Sequence, residues 1–118
     1  MAISILAQRN AMATAYGVAA PSGALFTGAG PGTSGTATNE VSGGTYARKT
    51  IGWGAASSSA ITAVAPAFDV PAGTTVTYAG VCVSTTANTA DVRDAVAVTS
   101  QNFASAGQYT VTFTYTQA

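Results

Sequence analysis

The sequence predicts a mainly β protein, an antiparallel β-sandwich of Ig-like or jelly-roll-like type with one short N-terminal α-helix. Three observations predict it. Residues 109–116 alternate apolar Tyr109, Val111, Phe113 and Tyr115 with Thr110, Thr112, Thr114 and Thr116, which puts one set on each face of a strand. Short runs of strand-forming residues recur from Thr38 onward between clusters of Gly, Pro, Ser and Asn, the spacing of a sandwich or barrel. Helical spacing occurs only once, close to the N-terminus.

That helix is expected over residues 4–16. Ser4 is in the N-cap position, Ile5, Met12 and Tyr16 share a face with Leu6 and Ala13 beside them, and Gly17 follows where a C-terminal cap belongs. So thin an apolar stripe does not sustain a helix alone. It must dock, either on this chain's own sheet or on a neighbouring subunit. Ala24–Thr27 is the first strand, and Gly28–Gly35 a loop of turn-formers. Further runs are Glu40–Ser42, Thr45–Trp53, Ala60–Val64, Ala67–Val70, Thr74–Val83, Asp91–Thr99 and Tyr109–Thr116. Within Thr74–Val83, one face holds Val76, Tyr78 and Cys82 and the other Ala79, Val81 and Val83. Apolar on both faces, it predicts a central strand covered on both sides, with the helix as one candidate cover. The 118 residues make one domain, 1–118, with a helical arm over 1–20 and the sandwich over 24–118.

Charge narrows the function. Only 7% of residues are charged, about a quarter of the usual share, and the net charge is zero. No basic cluster exists to bind nucleic acid or an anionic membrane. Histidine is absent, which removes the commonest general base and metal ligand. The single cysteine forms no internal disulfide. No apolar run approaches the ~20 residues that span a bilayer. Gln8, Arg9 and Asn10 interrupt the N-terminal segment where a signal peptide is apolar, so export by the usual secretory route is not expected.

The candidate constellations are weak. Gly30-Pro-Gly32-Thr-Ser-Gly35 matches a dinucleotide fingerprint, yet no helical period follows to hold a pyrophosphate at its N-terminus. Asp91-Val-Arg-Asp94 lacks the oxygen spacing of a calcium loop and reads as a polar strand start or a turn salt bridge. Asp69, before Pro71 and Gly73, reads as a turn-bonding residue. Lys49 is the only lysine and has no Ser three residues before it, so no Ser-Lys dyad is marked. Cys82, between Val81 and Val83, reads as a small buried hydrophobe. Catalytic residues, cofactors and metals are therefore expected to be none.

Contact residues are the remaining candidates. Arg48-Lys49 is the only basic pair, and with Tyr46 it offers a surface for an acidic partner. On a strand Tyr46, Arg48 and Thr50 share one face, leaving Lys49, Ile51 and Trp53 on the other. Trp53, flanked by Gly52 and Gly54, is the candidate for an interface or for stacking on a sugar ring, with core packing as the plain alternative. Tyr46, Arg48 and Trp53 are thus the expected interface or ligand contacts.

Glu40-Val-Ser-Gly-Gly-Thr-Tyr-Ala-Arg48, Phe68-Asp-Val-Pro-Ala-Gly-Thr-Thr-Val76 and the closing Thr-Val-Thr-Phe-Thr-Tyr-Thr116 carry a resemblance. The chain resembles small virion proteins of bacteriophages, particularly those of actinobacteria, described as tail-fibre-like or minor structural proteins. The N-terminal helix and Ala24-Leu-Phe-Thr27 are similar too. Where relatives often have a Gly-rich patch, this chain has Thr-Thr-Ala-Asn-Thr-Ala before Asp91. The resemblance implies a non-enzymatic component of the particle exterior, a minor tail or tail-fibre protein or a capsid decoration protein. It implies other phage structural proteins as partners and assembly as a homo-oligomer, expected here as a trimer. The alternative is a carbohydrate-binding β-sandwich module for host-surface glycans, with Trp53 and Tyr46 as its platform. In either case no nucleic acid or membrane partner is expected, and the location is the virion, assembled in the host cytoplasm.

Overall fold

Nine residues from Thr74 to Cys82 form β5, the strand on which the architecture is built. The computed structural model, which describes residues 5–63 and 67–117, is mainly β, with every ladder antiparallel and one helix. The helix α1 is Leu6–Ala19, and β1 to β4 are Ser22–Phe26, Lys49–Thr50, Ala60–Thr62 and Ala67–Val70. After β5 come β6, Val92–Phe103, β7, Gly107–Thr110, and β8, Thr114–Thr116. A four-stranded sheet has the order β2-β1-β5-β6, and β3-β8 and β4-β7 form two-stranded sheets.

β1 and β5 are central and buried on both faces. Leu25 of β1 faces the main core with Val76, Ala79 and Val81 of β5, where Phe68 and Val70 of β4 meet them together with Ala63 and Phe113. Ala24, Phe26, Cys82 and Val92 make a smaller cluster with Tyr78 on the other face. The expected grouping of Val76 with Tyr78 and Cys82 is corrected. The pairing of β5 with β6 slips between Val76 and Tyr78, so Val76 joins the face of Ala79 and Val81.

The second face is covered by the glycine-rich loop rather than by the helix. Gly30 is at φ +74°, and a Cβ there would lie 2.8 Å from the Tyr78 ring, so a residue without a side chain closes the loop onto that cluster. Gly35 accepts the Val92 N–H at 3.2 Å. No helix begins in this loop, so its glycines serve turns and contact.

The helix runs three residues beyond the expected end. Gly17 is no cap: it is buried inside the helix, where a Cβ would lie 3.0 Å from both Ile61 and the Trp53 ring. The helix approaches β3 and β8 through its small residues Ala13 and Gly17 and through Tyr16, which stacks on Tyr115, so of the predicted face only Ala13 and Tyr16 turn inward. Close approach by small residues leaves Ile5, Leu6 and Met12 exposed, and Tyr16 is the one large apolar residue of the helix that turns inward. Ile5 occupies the N-cap without a side-chain bond, while Ser4 lies outside the described residues.

The strands also shift. β4 has the expected bounds, whereas Thr45–Trp53 contracts to Lys49–Thr50 and Glu40–Ser42 to a bridge between Glu40 and Phe26. The first strand begins at Ser22, Asp91–Thr99 extends to Phe103, and Val64 lies outside the described residues. Tyr109–Thr116 breaks into β7 and β8 because the chain leaves β4 and takes β3 as its next partner. Its faces survive the break: Phe113 is buried and all four threonines are exposed. Asp69 accepts from the Gln108 amide across the β4-β7 ladder at 3.3 Å, not from a turn.

Candidate functional site

Two of the three expected contact residues converge on Glu40. The Arg48 guanidinium donates from Nε to Glu40 Oε2 and from Nη2 to Glu40 Oε1, both at 2.9 Å, a bidentate pair with both side chains fully buried. Its Nη1 donates to Asp91 Oδ1 at 2.6 Å, and the Ser84 and Thr89 carbonyls accept further bonds. The Tyr46 hydroxyl donates to Glu40 Oε2 at 2.8 Å and accepts the Leu25 N–H at 3.1 Å. The Asn88 N–H completes the Glu40 carboxylate at 2.9 Å. Arg48, expected at a partner surface, is therefore an internal residue that ties the 40–48 segment to the 84–91 loop.

The electrostatics follow from this enclosure. Burial opposes the Arg48 charge, but bonds from Glu40 and Asp91 outweigh it and leave the guanidinium more firmly protonated than usual. Burial likewise opposes the Asp91 charge, and the bonds from Arg48 and Ser84 overcome it, lowering the carboxyl below the usual range. Burial pushes the Tyr46 hydroxyl above its ordinary value. Cys82 is fully buried, and burial pushes its thiol up to about 12, opposed by Arg48. Such a thiol is held as the neutral, unreactive form.

Trp53 lies elsewhere, beside a groove of about 510 Å³. Its indole N–H donates to the Ala20 carbonyl at 2.8 Å, and the Gly17 backbone presses on the ring. Tyr16 meets it edge-on at 5.9 Å between centroids and stacks on Tyr115 at 3.9 Å. Val96, Val98 and Val111 also line the groove. Asp94 is the groove's carboxylate, and it accepts from the Tyr16 hydroxyl at 2.8 Å and from the Ala95 N–H at 2.9 Å. Burial, then this bond, pushes the Tyr16 hydroxyl up.

Tyr46 and Trp53 therefore form no common platform. The structure brings Tyr46 together with Arg48, and Trp53 with Tyr16, Phe113 and Tyr115. Sequence reasoning missed Glu40 and Asp91 as the partners of Arg48. Asp91 is 43 residues away, with no local spacing to mark it. Tyr115 was legible, since the alternation of residues 109–116 sets it on the inner face with Phe113. Among the described residues no group of three or more acidic or Cys side chains is placed to hold a metal ion. What the groove offers chemically is apolar contact and one occupied carboxylate. No protein-family model, curated protein or solved structure matches the chain.

Proposed function

We propose that the chain is a non-enzymatic structural protein of the exterior of a bacteriophage particle, a minor tail or tail-fibre component or a capsid decoration protein, acting by self-assembly and by contacts with other particle proteins. The observation that carries this reading is where the scarce charge goes. Glu40 and Arg48 are withdrawn into the fold and Asp91 is tied to them, so the outer surface is left largely to Thr, Ser, Ala, Gln and Asn. A nearly neutral surface lets many copies lie side by side without repulsion, and Ile5, Leu6, Val18 and Val96 stand exposed on it as contact groups. The sequence resemblance points the same way. We read the layers as an antiparallel β-sandwich of Ig-like or jelly-roll type, on the support of a core shared by β1 and β5 with β4 and Phe113.

The test is mass spectrometry of purified particles from the phage that encodes the chain. The reading expects the chain among the virion proteins; its absence from intact particles, with the other structural proteins detected, overturns it. The carbohydrate-binding reading now rests on the open groove beside Trp53 alone. Its rings are already engaged by each other and by Gly17, which favours the first reading. A glycan array with binding abolished by Trp53→Ala would reverse that preference.

A further inference from the structure

β6 is the longest strand, twelve residues, and it stands at the edge of the four-stranded sheet with β5 as its neighbour. Between Arg93 and Asn102 its outward backbone groups have no partner among the described residues, apart from the Ala95 N–H, which turns to the Asp94 carboxylate. Long edges are normally blunted by lysine, proline or a covering segment. β6 has neither Lys nor Pro; the glycine loop bonds Val92 and flanks Arg93–Ala95 across a shallow pocket, which leaves the edge from Val96 to Asn102 uncovered by it. Its protective devices are the charges of Arg93 and Asp94 and two slips in pairing, one between Val92 and Asp94 and one between Ala97 and Gln101. Beside this edge Val96 is 59% exposed and opens with Val98 into the groove. An open hydrogen-bonding edge and uncovered apolar side chains thus coincide.

The geometry points to antiparallel pairing of β6 with β6 of a second copy about a two-fold axis, so that the sheet continues from one copy into the next. This rests on the reading of the chain as self-assembling and names the contact. Two observations select the occupant. The other edge of the same sheet is β2, two residues long, so a head-to-tail ring from β6 to β2 finds almost nothing to pair with. The charges of β6, Arg93 and Asp94, both lie at its start. Antiparallel self-pairing brings that end against the uncharged Ser100–Asn102 end of the other copy, whereas parallel pairing would set Arg93 on Arg93. Centred on Ala97, the register places Val96 opposite Val98 and Arg93 opposite Gln101 of the second copy. The contact is isologous and closes on itself, so the unit is a two-fold dimer in place of the trimer expected from the sequence.

Two variants of the full chain and one control variant test this. Sedimentation equilibrium over a concentration series should give twice the chain mass for the natural sequence. Val96→Lys, an exposed position that accepts a lysine, should weaken the dimer about tenfold or more with unchanged circular dichroism. Treated with a mild thiol oxidant, Ala97→Cys should form an intermolecular disulfide, while Val18→Cys on the exposed helix face should not; Cys82 is buried and does not compete. A natural chain that is monomeric throughout overturns both the self-assembly reading and this contact. An oligomer that neither weakens with Val96→Lys nor cross-links through Ala97→Cys overturns the β6 contact and leaves self-assembly standing. If Val96→Lys disturbs the fold, cross-linking at Ala97 decides.

Discussion

Replacing Arg48 with methionine removes a buried cation while keeping a long, flexible side chain of similar reach. The substitution deletes two bonds to Glu40, one to Asp91 and those to the Ser84 and Thr89 carbonyls. Removing one partner of a buried ion pair costs about 3–5 kcal/mol, because the other charge is left without compensation. Glu40 keeps the Tyr46 hydroxyl and the Asn88 N–H, which argues for the lower half of that range, about 3–4 kcal/mol. Typical stabilities of about 0.05–0.15 kcal/mol per residue give a chain of this length roughly 6–18 kcal/mol, so the variant still folds. Urea unfolding followed by Trp53 fluorescence, at fixed protein concentration, reads the loss. With a slope near about 2 kcal/mol per M, the midpoint should fall by about 1.5–2 M. Adding Glu40→Gln to Arg48→Met should cost less than the sum of the two single changes, since the charges share one site. A loss under about 1 kcal/mol, or strict additivity, would refute the internal network and return Arg48 to the surface role read from the sequence.

Three further outcomes follow from the same geometry. The Asp91 carboxyl titrates lower in the fold than in the unfolded chain, so the stability it supplies is present above about pH 4 and lost as pH falls through its folded value. Asp91→Asn should flatten the acid limb of the stability curve, and an unchanged limb would contradict the Arg48–Asp91 bond. The Cys82 thiol titrates higher in the fold, so its contribution is intact below the unfolded value near about 8.5 and is lost as pH rises toward about 12. Cys82→Ala should reduce the alkaline loss, and a thiol reagent should label native Cys82 no faster than the chain opens; immediate labelling would show that the second cluster is not closed. A Cβ on Gly80 would lie 2.7 Å from Phe26 and 2.8 Å from the Asp94 carbonyl, so Gly80→Ala should cost about 1–3 kcal/mol, measured by the same urea unfolding. A neutral result would show that β5 and β6 do not meet as closely there.

Where the sequence was legible, local chemistry was sufficient to determine the element. β4 and β5 are runs of strand formers closed by turn residues, and nothing distant alters their ends by more than a residue. Residues 109–116 show the limit. Side-chain alternation told inside from outside correctly, but the break at 111–113 comes from a change of partner, which no local pattern encodes. Thr45–Trp53 failed for a related reason: Tyr46 and Arg48 turn to Glu40, and that contact competes with a ladder. In the helix, the predicted face holds at Ala13 and Tyr16 and fails at Ile5, Leu6 and Met12, because close docking selects small residues and Gly17, read as a cap, lies in the contact. The site divides along the same line. Trp53 was worth watching because large aromatics gather where surfaces meet. The burial of Arg48 was hidden because Asp91, which helps to enclose it, arrives from a distant loop.

The most direct test of the account is electron microscopy of phage particles labelled with an antibody against this chain. The account predicts label on the particle exterior. Label over the head would identify a decoration protein, and label along or at the tip of the tail a fibre or minor tail component. Particles that carry no label, although the antibody recognises the folded chain, would contradict a place on the virion surface.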